Sequence, residues 1–546
     1  MKIHALFGTL LFLLLADSAS AQPVPGLGCT PGAHTFCVTT TADSGAGSLR
    51  QAITDSNTAG GANTIGFQIP GTGPQTITLT SQLPAINANG TLTSLLIDGY
   101  SQPGSVLNTN TPDQGGLNAK LMIEITGTGG FYGFFYNCCA NPYVTLTLQG
   151  LNLHGFLSAI LGQTYGFAAK AKWNIYGNFI GTTLDGTAAA APLGHAGQGV
   201  GIEYDDAQIG GAQAWQRNLI SGNGYGINAG TPNAAIVVEG NLIGTDVSGT
   251  TAIPNDPAGL NLSGNFAGLR IGCTGAGCVA PGHPSRNFIA GNYSYGMLVD
   301  DGLNANYAGS GAQIKGNYIG VDVTGTKPLP NGNAGSIGGC PAYCAGITVR
   351  GSGSGSALVV GGFDPGEGNV IAYNGGPGIA GYDNGGYPSV GASFDNQGNA
   401  LHNNGSTDIA FTEYGWIAND PGDADPSTGY SKPNNEQNYP VIASANVAGG
   451  MLNATYAVDS LPANATYPLR IDFYVAIGEG SGEYLASDSY AASDATLPKT
   501  VSLSLPADAQ SPAGILVTAT DANGYTSEIS PSYVFDRIFS DRFEGH

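Results

Sequence analysis

The sequence predicts an all-β chain, a right-handed parallel β-helix followed by a small Ig-like β-sandwich. Three observations predict it. Eleven residues recur nearly unchanged, as GNFIGTTLDGT at 177–187, GNLIGTDVSGT at 240–250 and GNYIGVDVTGT at 316–326, so the copies lie 63 and then 76 positions apart. Glycine supplies 87 of 546 residues and only 10% are charged, which suits short strands joined by tight turns and is poor for helices. Beyond residue 438 the repeats give way to alternating apolar and polar runs punctuated by turn residues, the pattern of an antiparallel sandwich.

In chain order, residues 1–21 read as a secretory signal. Lys2 and His4 give a polar start, Ala5–Ala16 a short apolar core, and Ala19-Ser20-Ala21 a small-residue cleavage site. That core is too short to span a bilayer, so export to the outside or the cell surface without membrane insertion is expected. Residues 22–60 form an N-terminal segment ending in a capping helix. Ser48 and Gln51 fit a capping box, and Leu49, Ala52 and Ile53 place apolar groups on one side of a helix over 48–57, laid on the first coil.

Residues 61–417 are the expected β-helix. The phrases RNLISGNGYGI (217–227), RNFIAGNYSYGM (286–297) and GNVIAYNGGPGI (368–379) alternate with the first series, with QIGG, RIG and VVGG between them. The long period therefore reads as three sub-units of 21 to 27 residues. Such units cannot bury a core alone and must stack. Asn178, Asn241 and Asn317, with Asn218, Asn287 and Asn369, are expected at coil corners, bridging turn backbone to the next coil and tolerating the αL conformation.

An acidic linker over 418–438 precedes the sandwich at 439–533 and a tail at 534–546. Within the linker Asp420, Asp423 and Asp425 crowd around Gly422, a set of hard oxygens suited to Ca²⁺, with a solvated linker as the alternative. Eight cysteines in an exported chain point to disulfides, and three local pairs are expected: Cys29–Cys37, Cys273–Cys278 and Cys340–Cys344. The state of the adjacent Cys138 and Cys139 stays open. A net charge of −22 argues against nucleic acid and anionic membranes, which need clustered Lys and Arg.

With SLRQAI near the mature N-terminus, IDGYSQPG at 97–104, the GNxIGTDxxGT corners and TATDANGYTSEIS, the chain resembles bacterial secreted β-helix proteins of the pectin-lyase-like superfamily with a CSLREA-type N-terminal signature. Gly47 stands where that signature has cysteine and Gln51 where it has glutamate. The resemblance runs from Val38 to Ser530 and implies the fold, whose members include polysaccharide lyases, glycoside hydrolases, adhesins and receptor binders, so it does not fix the activity. The closing FSDRFEGH is similar to short aromatic-acidic tails of some secreted gammaproteobacterial proteins, which implies an export or sorting tag.

Catalytic motifs are sparse. Lys170 and Lys172 could supply a lyase base, but no acidic cluster accompanies them. A polygalacturonase-like hydrolase would carry Gly-His-Gly, whereas His195 and His283 lie in GHA and GHP. The acidic doublets Asp205-Asp206 and Asp300-Asp301 are 95 residues apart, about 19 Å along a stack at roughly 4.8 Å per strand, too far for one carboxylate pair. Any catalytic centre is therefore expected around Glu203, Asp205 and Asp206, with Asp185 one coil earlier, Glu203 and Asp205 sharing a strand face unless the chain turns there. The alternative makes Asp185 a turn residue and the doublets solvated loops. The leading expectation is binding of glycans or another extracellular surface along the turn-lined face, with loops such as CTGAGCVAPGHPS carrying specificity. The alternative is a polysaccharide-degrading enzyme, a glycoside hydrolase before a lyase.

Overall fold

The computed structural model describes residues 21–136, 143–163, 171–190, 197–230, 235–264, 268–300, 312–332, 344–350, 358–382, 392–411, 416–424, 432–476, 482–505 and 512–535. Residues 1–20, Cys138, Cys139, Lys170, His195, Asp301, Cys340, Asp425 and residues 536–546 lie outside them.

From Leu92 to Ala410 the chain visits three sheets in rotation, which we call A, B and C, and within each sheet successive strands pair in parallel. This is consistent with a parallel β-helix. Alternation explains the core. In sheet A the inward places stack in register as Ile65, Ile97, Leu148, Ile175, Ile209, Val238, Ile271, Ile314 and Val360, each essentially without solvent exposure. Matching aliphatic columns from sheets B and C close the same interior.

A helix at Leu49–Ala59 covers the first coil and buries Leu49, Ala52 and Ile53. Ser48 Oγ accepts from Gln51 N at 3.2 Å, but the Gln51 amide turns to Asp55 instead of back to Ser48, so half of the expected box forms.

The recurring asparagines stand at the corners. Asn178, Asn218, Asn241, Asn287, Asn317, Asn369 and Asn399 form one ladder between sheets A and B, each Nδ2 donating to the next Oδ1 at 2.8–3.4 Å. A second ladder between sheets B and C runs through Asn223, Asn255, Asn292, Asn331, Asn374 and Asn404 at 2.9–3.1 Å. Two expectations are corrected. Both phrase series feed the first ladder, whose members are 40, 23, 46, 30, 52 and 30 residues apart, so the long period holds two coils, not three. Among the described residues the extra length builds no extra strand. The αL place falls to the glycine before the asparagine, at Gly177, Gly240 and Gly316 (φ 62°, 76° and 69°), because the asparagine must keep its amide aimed along the stack.

Two of the expected disulfides, Cys29–Cys37 and Cys273–Cys278, are formed, and Cys344 is disulfide-bonded too. Such bonds fit an oxidising compartment. Among the described residues no helix is long and apolar enough to cross a membrane.

The C-terminal part has two antiparallel sheets over its own core. One holds Val441–Ala448, Met451–Ala457 and Lys499–Ser504. The other holds Leu469–Ala476, Gly482–Tyr490, Gly514–Thr520 and Tyr533–Val534, and it continues sheet B through Leu401 and Gly482. Arg470 fastens the join: it pairs with Asp395 at 2.8 Å and Asp472 at 2.9 Å. Glu528 accepts from Phe411 N and Ile417 N at 3.0 and 2.8 Å, on one side of the last sheet C strand, Ile409–Ala410. Asp408, which ends the second ladder by accepting from Asn404 at 2.8 Å, is on the other.

Two predictions follow from these contacts. Asn241 is fully buried and holds Asn218, Ile209, Glu239 and Asn287 at once. Asn241→Leu should cost about 3 kcal/mol or more, because several buried partners lose their bonds. Denaturant unfolding would measure it, and an unchanged midpoint would remove the ladder from the stability argument. For pH, burial pushes the Asp408 and Glu528 carboxyls up to about 7. A raised carboxyl pKa means the folded chain keeps protons that the unfolded chain releases, so this stabilisation is complete below the ordinary carboxyl range and is lost as pH rises towards about 7. Asp408→Asn keeps the acceptor for Asn404 and cannot ionise. Its melting temperature relative to the unaltered protein should therefore rise steadily between about pH 4 and pH 8. A gap independent of pH would show that Asp408 does not titrate in that range.

Candidate functional site

Gln198–Glu203 is a sheet C strand, Asp206–Gly210 is the sheet A strand that follows it, and only Tyr204 and Asp205 join them. Tyr204 takes φ +69°, so the chain turns sharply. The turn separates the acids expected to share a face. Glu203 stays half-buried at the end of sheet C, where it accepts from the Gln163 amide at 2.7 Å. Asp205 points inward and is fully buried, accepting from Ala171 N at 3.0 Å and from the Trp173 indole at 3.1 Å. Gly162 leaves room for this pair, since a Cβ there would lie 2.3 Å from the indole nitrogen and 2.7 Å from Asp205 Oδ2. Asp205 is thus a structural acceptor for the coil below it.

Asp206 faces outward from sheet A. Its Oδ1 accepts from Ala235 N at 2.9 Å and its Oδ2 from the Tyr143 hydroxyl at 3.2 Å. Burial, with the neighbouring Asp206 carboxylate, pushes the Tyr143 hydroxyl up to about 12, which keeps it a donor. Tyr143 is 49% exposed. Two outward rows converge on this place. Thr64, Leu96, Thr147, Asn174 and Gln208 are in register, and beside them run Ala62, Ser94, Thr145, Lys172 and Asp206. At the start of the rows lies a shallow groove of about 210 Å³ lined by Thr64, Ser94, Thr145 and Thr147.

Asp185 is elsewhere, at the corner between sheets B and C. Its Oδ1 accepts from the Thr183 and Thr187 hydroxyls and from Thr187 N, which hold the carboxyl below its usual range. The turns at 183–187, 246–250 and 322–326 stack on each other, Val247 N donating to Gly186 O and Val323 N to Gly249 O across the shorter corners between them. So Asp185 is a turn residue and does not join the 203–206 corner.

Sequence reasoning missed the covering of sheet B. Its outward row is apolar (Phe179, Leu219, Leu242, Phe288), and residues 99–121 run over it as a strap that contributes Tyr100, Leu107, Leu117 and Leu121. Arg217, fully buried, pins the strap through the Asn110 and Gly115 carbonyls at 2.8 and 3.1 Å, and burial pulls its pKa down to about 9. Asp113 reaches His283 at 2.9 Å and Arg286 at 3.3 Å. The IDGYSQPG phrase carried the signal: Tyr100 bonds Gly177 O at 2.9 Å and Gln102 brackets Ile69 from both sides.

Of the linker acids, Asp423 is buried and takes bonds from Gln437, Asn438 N and Ser460 at 2.7–2.8 Å, while Asp420 caps Ala424 N. Protein donors therefore occupy Asp423 where a cation was expected, and its expected companion Asp425 is outside the described residues. Among the described residues no three His, Cys, Asp or Glu side chains converge for a metal.

No known family description matches the chain, and no curated protein matches it either. The corner itself gives a test. In Asp205→Asn an amide hydrogen faces a buried N–H, so one bond is lost and one donor stranded, at about 2–4 kcal/mol. The variant should melt well below the unaltered protein. Equal melting with a loss confined to ligand binding would return Asp205 to the functional residues.

Proposed function

We propose that this is an exported pectin-lyase-like β-helix protein, with a right-handed coil path and an Ig-like C-terminal module, that binds a glycan across the outer face of sheet A. One observation carries the reading: Tyr143 is an exposed aromatic residue tethered through its hydroxyl to Asp206, beside outward rows in which Thr64, Thr147, Asn174, Gln208, Ser94 and Thr145 carry hydroxyls and amides. An aromatic face stacks on the C–H face of a sugar, and its polar tip stays hydrated or bonded. The rows repeat at the strand spacing of about 4.8 Å, an interval near the advance of one sugar in an extended chain, so successive coils meet successive sugars. Thr, Asn and Gln donate and accept alike, which suits hydroxyl groups. The strong negative charge of the chain favours a neutral glycan over a polyanionic one.

The Tyr143–Asp206 pair also favours a second reading, a hydrolase in which Asp206 acts on the glycosidic bond. One experiment separates the two. The mature protein is passed over a panel of immobilised neutral polysaccharides, and both retention and released reducing ends are scored. Retention without release is expected, with Tyr143→Ala weakening it by about tenfold, or about 1.4 kcal/mol. Release abolished by Asp206→Asn would favour the hydrolase, and no retention on any polysaccharide would sink both.

A further inference from the structure

Away from the sheet A face, the strap and the first stacked turn border an open groove of about 590 Å³. Its apolar floor is Pro74, Leu121, Phe179 and Leu184, and its polar lining includes Lys120 from the strap and Asp185 from the turn. The volume is that of a small-molecule site. Two features set it apart from the rest of the coil stack.

The first is a departure from the repeat. In the other two copies of this turn the acid comes first and the hydroxyl sits at the tip: Ser248 donates to Asp246 and Thr324 donates to Asp322. In the first copy the order is exchanged, and Thr183 donates to Asp185. The turn keeps its internal acid–hydroxyl bond either way, so the exchange gives the turn nothing. What changes is that a carboxylate occupies the tip, lining the groove, with Oδ1 taking the turn's three hydrogen bonds and Oδ2 taking none among the described residues.

The second is an uncommitted cation. The chain has 16 Lys and Arg against 38 Asp and Glu, so a basic side chain readily finds an acid. Arg270, Arg286, Lys315, Lys432, Arg470 and Lys499 all do. Lys120, like Lys172 and Lys327, makes no ion pair among the described residues, and of these three it alone lines this groove, where it is exposed.

A purely anionic ligand would satisfy Lys120 and be repelled by Asp185, and a cationic one the reverse. A neutral one would displace water from both charges without neutralising either. We propose that this groove binds a small zwitterion, an ammonium and a carboxylate carried on an apolar body, as in a free apolar amino acid. Its carboxylate meets Lys120, its ammonium meets Asp185 Oδ2, and its side chain lies on the floor of Leu121, Phe179 and Leu184.

Calorimetric titration of the mature protein with L-leucine tests it, alongside N-acetyl-leucine, leucinamide and glucose. Leucine should bind, and blocking either charge of the ligand should weaken it by about tenfold or more. Lys120→Gln, on an exposed side chain, should do the same without altering the melting temperature, as should Asp185→Asn if its melting curve is unchanged. Tyr143→Ala should leave the titration untouched, so this site and the glycan face fail separately. No heat with leucine, equal affinity for the blocked forms or for glucose, or indifference to Lys120→Gln would each overturn the proposal.

Discussion

The structure depends on how a parallel coil satisfies its corners. Along each sheet the backbone pairs with the coils above and below, but at a corner the chain turns inward and its N–H and C=O groups leave that pattern. A buried polar group without a partner costs about 1–3 kcal/mol, and the stack would accumulate that cost at every coil. The carboxamide meets it because it both donates and accepts along one line. Asn241, for instance, accepts from Asn218 and donates to the Ile209 carbonyl of the coil below and to Asn287 above. No other side chain of that length does both without charge. Each ladder therefore needs a terminus, and both termini lie at the C-terminal end. Asn399 hands on to Asn396 and thence to the Tyr474 hydroxyl of the C-terminal part, and Asn404 hands on to Asp408.

Much of this was legible in the residues. The repeated Gly-Asn corners, the alternating apolar strands and the capping helix are local patterns, and their physics is local too. The count of coils was not legible, because both phrase series mark the same corner and spacing alone cannot tell a long connection from an extra strand. The strap was hidden for a different reason. Tyr100 and Gly177 are 77 residues apart and Arg217 lies more than 100 from the carbonyls it holds, so no window of sequence contains the contact.

The site was legible only in part. The density of acids at 203–206 was visible, but Tyr204 adopts a left-handed conformation that sends Asp205 inward and leaves Asp206 outside. A two-residue connection decides which acid faces inward and which outward, and a pattern of side-chain types does not encode that turn. Tyr143 shows the same difficulty from the other side. Its exposure and its bond to Asp206 arise from coils that are 63 residues apart in sequence.

The stacked turns have a consequence for how such a chain can change length. They occur on alternate coils and bond each other over the shorter corner between, at Gly186 to Val247 and at Gly249 to Val323. Inserting a single coil would set two long corners or two short ones side by side and break that contact. Inserting a pair preserves it. Unequal recombination between copies of the same phase would then yield foldable products, and recombination between opposite phases would not. The heritable module of this architecture is the doublet, which is why its sequence repeats at twice the period of its backbone.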